Sequence, residues 1–239
     1  MDTIFESNHD LMNSWKVNIE NDHMHFNYDG IVDDVKWEKA PKKILFILKE
    51  TNSAKQDLRE AIQRSSEQKT GWHKGKVLRR VGRWANGLLS YDGDIPSFSD
   101  SKSNQFSAPL DIAYINLKKS CGGARTKEKD FHKHVHKYSN FIKQQIKVIN
   151  PDIIVMCGTY KYLKKYIFSE TEMVTVSERV HSINNQFVGI NAWHPAARKK
   201  AEEMYNQVVK SFHNYQINKN STTLFKTQKI ESNKIELER

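Results

Sequence analysis

The stretch Lys42-Lys43-Ile44-Leu45-Phe46-Ile47-Leu48-Lys49-Glu50-Thr51-Asn52 decides the fold. Five apolar residues follow Pro41 and two lysines without interruption. Such a run suits a strand buried on both faces, the kind found in parallel sheets covered by helices. The polar end matters equally. A carboxylate, Glu50, stands where the strand ends, and ligands of open α/β sheets bind at the carboxyl ends of strands.

Three more segments repeat the pattern. Ile112–Leu117 ends in a run of lysines, and Ile153–Cys157 ends in Gly158-Thr159. A fourth strand is expected over Gln186–Ala192, followed by Trp193-His194-Pro195. Between them lie amphipathic segments at Ala54–Gln63, Val77–Leu89, Lys127–Val148 and Tyr160–Phe168, with a last helix at Arg198–Tyr215. Residues 64–71 and 90–108 read as loops. This alternation predicts an α/β fold: a three-layer α/β/α sandwich around a central four-stranded, mostly parallel sheet. The expected organisation is an N-terminal helical extension over 1–40, the α/β/α domain over 41–215, and a weakly ordered or peripheral polar tail over 216–239. An irregular acidic segment is expected near Asp29–Asp34.

The chain has 239 residues and a formal net charge of +10, which favours a polyanionic partner such as nucleic acid. No apolar run approaches the ~20 residues needed to span a bilayer, and the N-terminus lacks a signal-peptide pattern. Two cysteines, Cys121 and Cys157, fit a reducing cytoplasm and are too few for a four-cysteine iron–sulfur cluster. His132, His134 and His136 contain an i, i+4 pair without a third ligand, so a solvated helix face is expected rather than a metal site.

Three strand-end segments, Leu48-Lys49-Glu50-Thr51-Asn52, Tyr114-Ile115-Asn116-Leu117-Lys118-Lys119 and Trp193-His194-Pro195-Ala196-Ala197, taken together resemble the uracil-DNA glycosylase superfamily. That family carries a G-Q-D-P-Y or G-E-x-P-G loop after one strand, an Asn ending a middle strand, and H-P-S after a late strand. The likeness spans about residues 41–213, and Pro151–Gly158 resembles the family's strand before the last motif.

The resemblance implies a DNA glycosylase acting on a flipped-out pyrimidine without metal or cofactor. It implies Glu50 at the sugar, where a carboxylate stabilises oxocarbenium character and positions water. It implies His194 as donor to the departing base, in the manner of an oxyanion hole, and Asn116 as the amide that reads the base edge. Asn52, Trp72 and Trp193 are the expected substrate-binding residues, Trp72 by stacking on the base. Lys118, Lys119, Arg125, Arg198 and Lys199 are expected to contact DNA phosphates.

The first loop lacks the family's Gly and Pro, and no Ser follows His194-Pro195. Asn52 stands where a family Tyr crowds pyrimidine C5. A smaller polar residue there suits a 5-modified pyrimidine, such as glucosylated hydroxymethylcytosine of phage DNA, as well as uracil. Such a substrate would make the protein an antiviral glycosylase. The alternatives are a non-catalytic DNA-binding module on the same fold, or a nucleoside or nucleotide hydrolase.

Overall fold

The computed structural model describes residues 5–21, 24–52, 57–68, 75–123 and 125–237, with side chains to 219. The elements in order are α1 (Asn8–Glu20), β1 (Gly30–Ile31), α2 (Asp34–Lys39), β2 (Ile44–Leu48), α3 (Leu58–Gln68), α4 (Lys76–Leu89), β3 (Ala113–Asn116), α5 (Glu128–Lys137), α6 (Ser139–Ile149) and β4 (Ile153–Cys157). They are followed by α7 (Tyr160–Tyr162, continued by a π-turn over Leu163–Ile167), β5 (Met173–Ser177), β6 (Val180–Ile183), β7 (Phe187–Ala192) and α8 (Ala201–Leu237).

One seven-stranded sheet runs in the order β1-β3-β2-β4-β7-β6-β5. The expected four-stranded sheet is thus too small. The four strands read from apolar runs, β3, β2, β4 and β7, do lie side by side and parallel. Antiparallel strands extend both edges: β1 beside β3, and the β5–β6 pair beside β7. These additions are short, with polar residues interrupting the apolar ones (Thr175 in β5, His181 and Ser182 in β6), and β5 exposes three of its five residues, so they carry no continuous apolar run to announce them.

β2 is buried along its whole length because helices cover both faces. Leu45 and Ile47 join α1, α5 and α6 in one apolar layer. Ile44, Phe46 and Leu48 join α3, α4 and α8 in the other. The period of two along the strand divides the run between the layers, and full burial of such a side chain contributes about 1.5–3 kcal/mol.

Several boundaries depart from the sequence expectation. The helix expected over 127–148 is two helices, α5 and α6. They break at Tyr138 (φ −106°, ψ 20°), whose ring packs with Trp15 and Phe141. Helix α3 runs to Gln68, through part of the expected loop, while residues 53–56 lie outside the described residues. The loop over 90–108 holds 3-10 turns at Asp100–Lys102 and, at its end, Ala108–Leu110. The expected polar tail continues α8 to Leu237. The acidic segment is ordered: Asp29 is buried, Gly30–Ile31 form β1, and Asp33 caps α2 by accepting from the Lys36 N–H. Among the described residues no helix is long and apolar enough to cross a membrane.

Candidate functional site

The parallel strands leave β2 in one direction toward β3 and in the other toward β4, which makes their carboxyl ends a switch point. A cleft of about 460 Å³ opens there. Its lining includes Glu50, Asn52, Asn116 and His194, so four of the residues expected at the site meet in one place. The first turn of α4 and Tyr114 complete much of the wall.

Glu50 follows β2, and its side chain is 5% exposed. Lys118 Nζ donates to Glu50 Oε2 over 2.8 Å and to the Cys121 carbonyl over 3.3 Å. Glu50 Oε1 is buried and has no hydrogen-bond partner among the described residues. Gly122 lies directly against this carboxylate. A Cβ at 122 would collide with Glu50, so glycine is needed there for close approach. The Gly122 N–H donates to the Thr51 carbonyl over 2.7 Å, tying the loop after β3 to the loop after β2.

Asn116 is the last residue of β3, opposite Leu48. Its Oδ1 is buried without a partner among the described residues. The backbone N–H donates instead to Asp29 Oδ2 over 2.9 Å.

His194 follows β7 and is half-buried. The Ala196 N–H donates to His194 Nδ1 over 3.1 Å. A backbone N–H donates only, so Nδ1 is the acceptor and the neutral ring carries its proton on Nε2. Burial, with the charge of Lys49 as a second cause, holds the imidazole below its ordinary pKa. Two groups fix this loop. Gly158, at φ +69°, passes so close to His194 that a Cβ would press on the His194 Cβ. Arg80 of α4, nearly buried, donates to the carbonyls of Pro195 (2.6 Å), Ala197 (2.9 Å) and Lys199 (2.7 Å).

Lys49 also lines the cleft, with its Nζ 3.0 Å from Glu128 Oε1. Glu128 further accepts from the Tyr162 hydroxyl (2.6 Å) and Lys161 (3.2 Å). The Tyr162 hydrogen bond first, then the lysines, bring its carboxyl down to about 2. Gly75 precedes helix α4 at its N-cap and offers no side-chain cap, and the helix has no acid in its first turn. Its N-terminal N–H groups and positive dipole end therefore stand at the cleft.

The remaining expected residues fall in different places. Trp72 lies outside the described residues. Trp193 is absent from the lining; its ring sits between Lys199 Nζ (4.1 Å) and the Arg179 guanidinium (5.1 Å). Tyr114 is the aromatic ring that does line the cleft. In the sequence its place in the alternation along β3 reads as core.

Lys119 is corrected. Its side chain is fully buried and paired with Asp29, so it reaches no phosphate. Lys118 faces Glu50 rather than solvent, at 14% exposure. Arg125, Arg198 and Lys199 are exposed, Lys199 with an ion pair to Glu203. On α5 His136 is exposed and His132 is half-buried, sharing a 2.8 Å hydrogen bond with the Tyr166 hydroxyl, while His134, off that face, is buried. Among the described residues no cluster of three His, Cys, Asp or Glu could hold a metal ion.

Asp29, Arg80, Lys49 and Gly122 were not legible as site residues in sequence. Gly122 alone carried a signal, as a Gly-Gly pair just beyond a strand end. No protein-family model matches the chain, and no curated protein matches it in sequence.

Proposed function

We propose that the protein is a DNA glycosylase that hydrolyses the N-glycosidic bond of a flipped-out pyrimidine, favouring a 5-modified base, and leaves an abasic site. One observation carries this reading. Glu50, Asn116 and His194 come from the ends of three parallel strands to one cleft, where Glu50 Oε1 and Asn116 Oδ1 are buried without a partner among the described residues and His194 is bonded through Nδ1. Buried polar atoms left unpaired are rare in native proteins and point to a ligand.

In this reading the base enters the cleft and Asn116 meets its edge. His194 Nε2–H donates to the pyrimidine O2 as negative charge develops on the leaving base. The neutral, desolvated ring suits that role, because it donates without requiring a protonation step. Glu50 faces the sugar. Its Oε2 is held by Lys118, while Oε1 is free to orient water and to stabilise positive charge at C1′. The water oxygen bonds to C1′, the C1′–N bond breaks with its electrons going to the base, and the water's proton ends on the base or on solvent.

Size and charge support the substrate class. A pyrimidine occupies roughly four water volumes, ~120 Å³ at ~30 Å³ each. The cleft of about 460 Å³ leaves room for a substituent beside it, and Asn52 stands exposed at its rim. The α4 N-terminus and the exposed Arg125, Arg198 and Lys199 suit a phosphate backbone better than a small nucleoside.

The test is incubation with single- and double-stranded oligonucleotides carrying uracil, hydroxymethylcytosine or glucosylated hydroxymethylcytosine, followed by alkaline cleavage of abasic sites. Strand breakage at the modified base is expected. Binding without breakage on every substrate would leave a DNA-binding module and sink the enzyme reading.

A further inference from the structure

β1 is two residues long, and its pairing with β3 covers Ala113 and Tyr114. The ladder on that side of β3 stops before Asn116. An Asn116 N–H left without a strand partner inside the protein would be costly. The Asp29 side chain takes the place of the missing strand: Oδ2 accepts from the Asn116 N–H over 2.9 Å.

Lys119 completes the arrangement from three residues downstream. Its Nζ contacts both Asp29 oxygens (2.6 and 2.8 Å) and donates to the Asn116 carbonyl over 2.8 Å. The ion pair thus holds both backbone polar groups of Asn116. Gln145 of α6 closes the network, accepting from Lys119 (2.7 Å) and donating to Asp29 Oδ1 (2.9 Å). Asp29, Lys119 and Gln145 are each at most 1% exposed. On the far side, Nζ lies 4.8 Å from the Trp15 ring centroid.

A buried ion pair is a poor device for stability alone. Apolar residues of the same volume often serve as well or better, because desolvating two charges offsets most of their attraction. Its distinctive product here is directional: an acceptor and a donor aimed at a single residue, the one whose side chain enters the cleft. We propose that Asp29 and Lys119 are positioning residues that clamp the Asn116 backbone and thereby set the amide that reads the substrate base. The inference rests on the glycosylase reading. It makes the segment around Asp29 part of the active centre rather than an appendage to it.

Two double variants separate this role from a structural one. Asp29→Leu/Lys119→Met removes both charges and the acceptor for the Asn116 N–H. Asp29→Asn/Lys119→Met removes both charges but keeps a carbonyl acceptor in place. Each is charge-neutral inside, so folding is expected for both, checked by circular dichroism. In the leucine variant, exchange of the Asn116 amide should accelerate by about tenfold or more. Excision should fall by about 10–100-fold in kcat, with weaker discrimination between cytosine-type and uracil-type bases. The asparagine variant keeps the acceptor for the Asn116 N–H and lacks only the Lys119 donor to the Asn116 carbonyl, so its losses in both measurements should be at least about threefold smaller than those of the leucine variant.

Equal losses in the two variants would show that charge, not positioning, matters and would overturn the proposal. So would unchanged excision and base preference in a leucine variant with lost amide protection, or unchanged protection in that variant. Wild-type protein that excises nothing would instead sink the glycosylase reading, and amide exchange would still decide whether the clamp exists.

Discussion

Lys118 Nζ holds one oxygen of the Glu50 carboxylate at 2.8 Å, and the other oxygen is buried without a partner among the described residues. Gly122 presses on the same carboxylate from the loop beyond Lys118. The geometry fixes where Glu50 points more tightly than a strand-end carboxylate requires, and it predicts a sharp response to small changes. Glu50→Gln keeps the shape and loses the charge. Excision should slow by about 10²–10⁴-fold, with thermal stability little changed.

Gly122→Ala tests the same arrangement from outside. The backbone at 122 is not left-handed, so alanine fits its conformation, and its Cβ meets Glu50 rather than the main chain. The expected result is a loss of at least about tenfold in kcat, with stability lowered by about 1 kcal/mol in urea unfolding. Wild-type turnover in this variant would mean that Glu50 tolerates displacement and is not held for catalysis.

The half-buried imidazole of His194 has a defined pH signature. Its pKa is lowered in the folded protein, so below the unfolded value the unfolded chain binds more protons than the native one. Stability therefore rises with pH through that window. The contribution of His194 is fully present above about pH 6.5, its ordinary value, and is lost as pH falls through the depressed native value. His181, also lowered by burial, adds a contribution of the same sign. The loss of melting temperature between pH 7.5 and 5 should shrink in His194→Asn, while excision by the wild type should stay flat above neutrality and decline in acid.

Arg80 holds three carbonyls of the loop that follows His194. Arg80→Met keeps the apolar stem and strips these bonds. Destabilisation of about 3 kcal/mol is expected in urea unfolding. A drop of about 10–100-fold in excision should accompany it, because the His194 donor loses its fixed position. Arg80→Lys should recover part of the stability, since one ammonium does not span three carbonyls.

The basic residues divide by burial, and salt dependence reads the division. Arg125, Arg198 and Lys199 are exposed, so alanine at each should lower the slope of log K against log salt for DNA binding by about 1 where it meets a phosphate. The Asp29→Asn/Lys119→Met pair should leave the slope unchanged, because Lys119 never reaches solvent. A slope reduced by the buried pair and untouched by the exposed residues would contradict the proposed binding face.

The parallel centre of the sheet was legible without the structure. Ile44–Leu48 and Ile153–Cys157 are apolar at every position, and a five-residue run of that kind has a home only where both faces are covered. Strand ends then located Glu50, Asn116 and His194, because the polarity change that ends a buried strand is a local signal. Tertiary structure decided the rest. Lys119 sits three residues past a strand end in a lysine pair and reads as solvated; its partner Asp29 lies 90 residues away and draws it inside. Arg80 reads as a polar position on α4, and its acceptors are carbonyls 115 to 119 residues distant. Such roles depend on which backbone groups lack a partner after folding. An unmet N–H at Asn116 or an unmet carbonyl at Pro195 leaves no trace in residue type, so sequence named the groups that face the cleft and only the fold named those that hold them there.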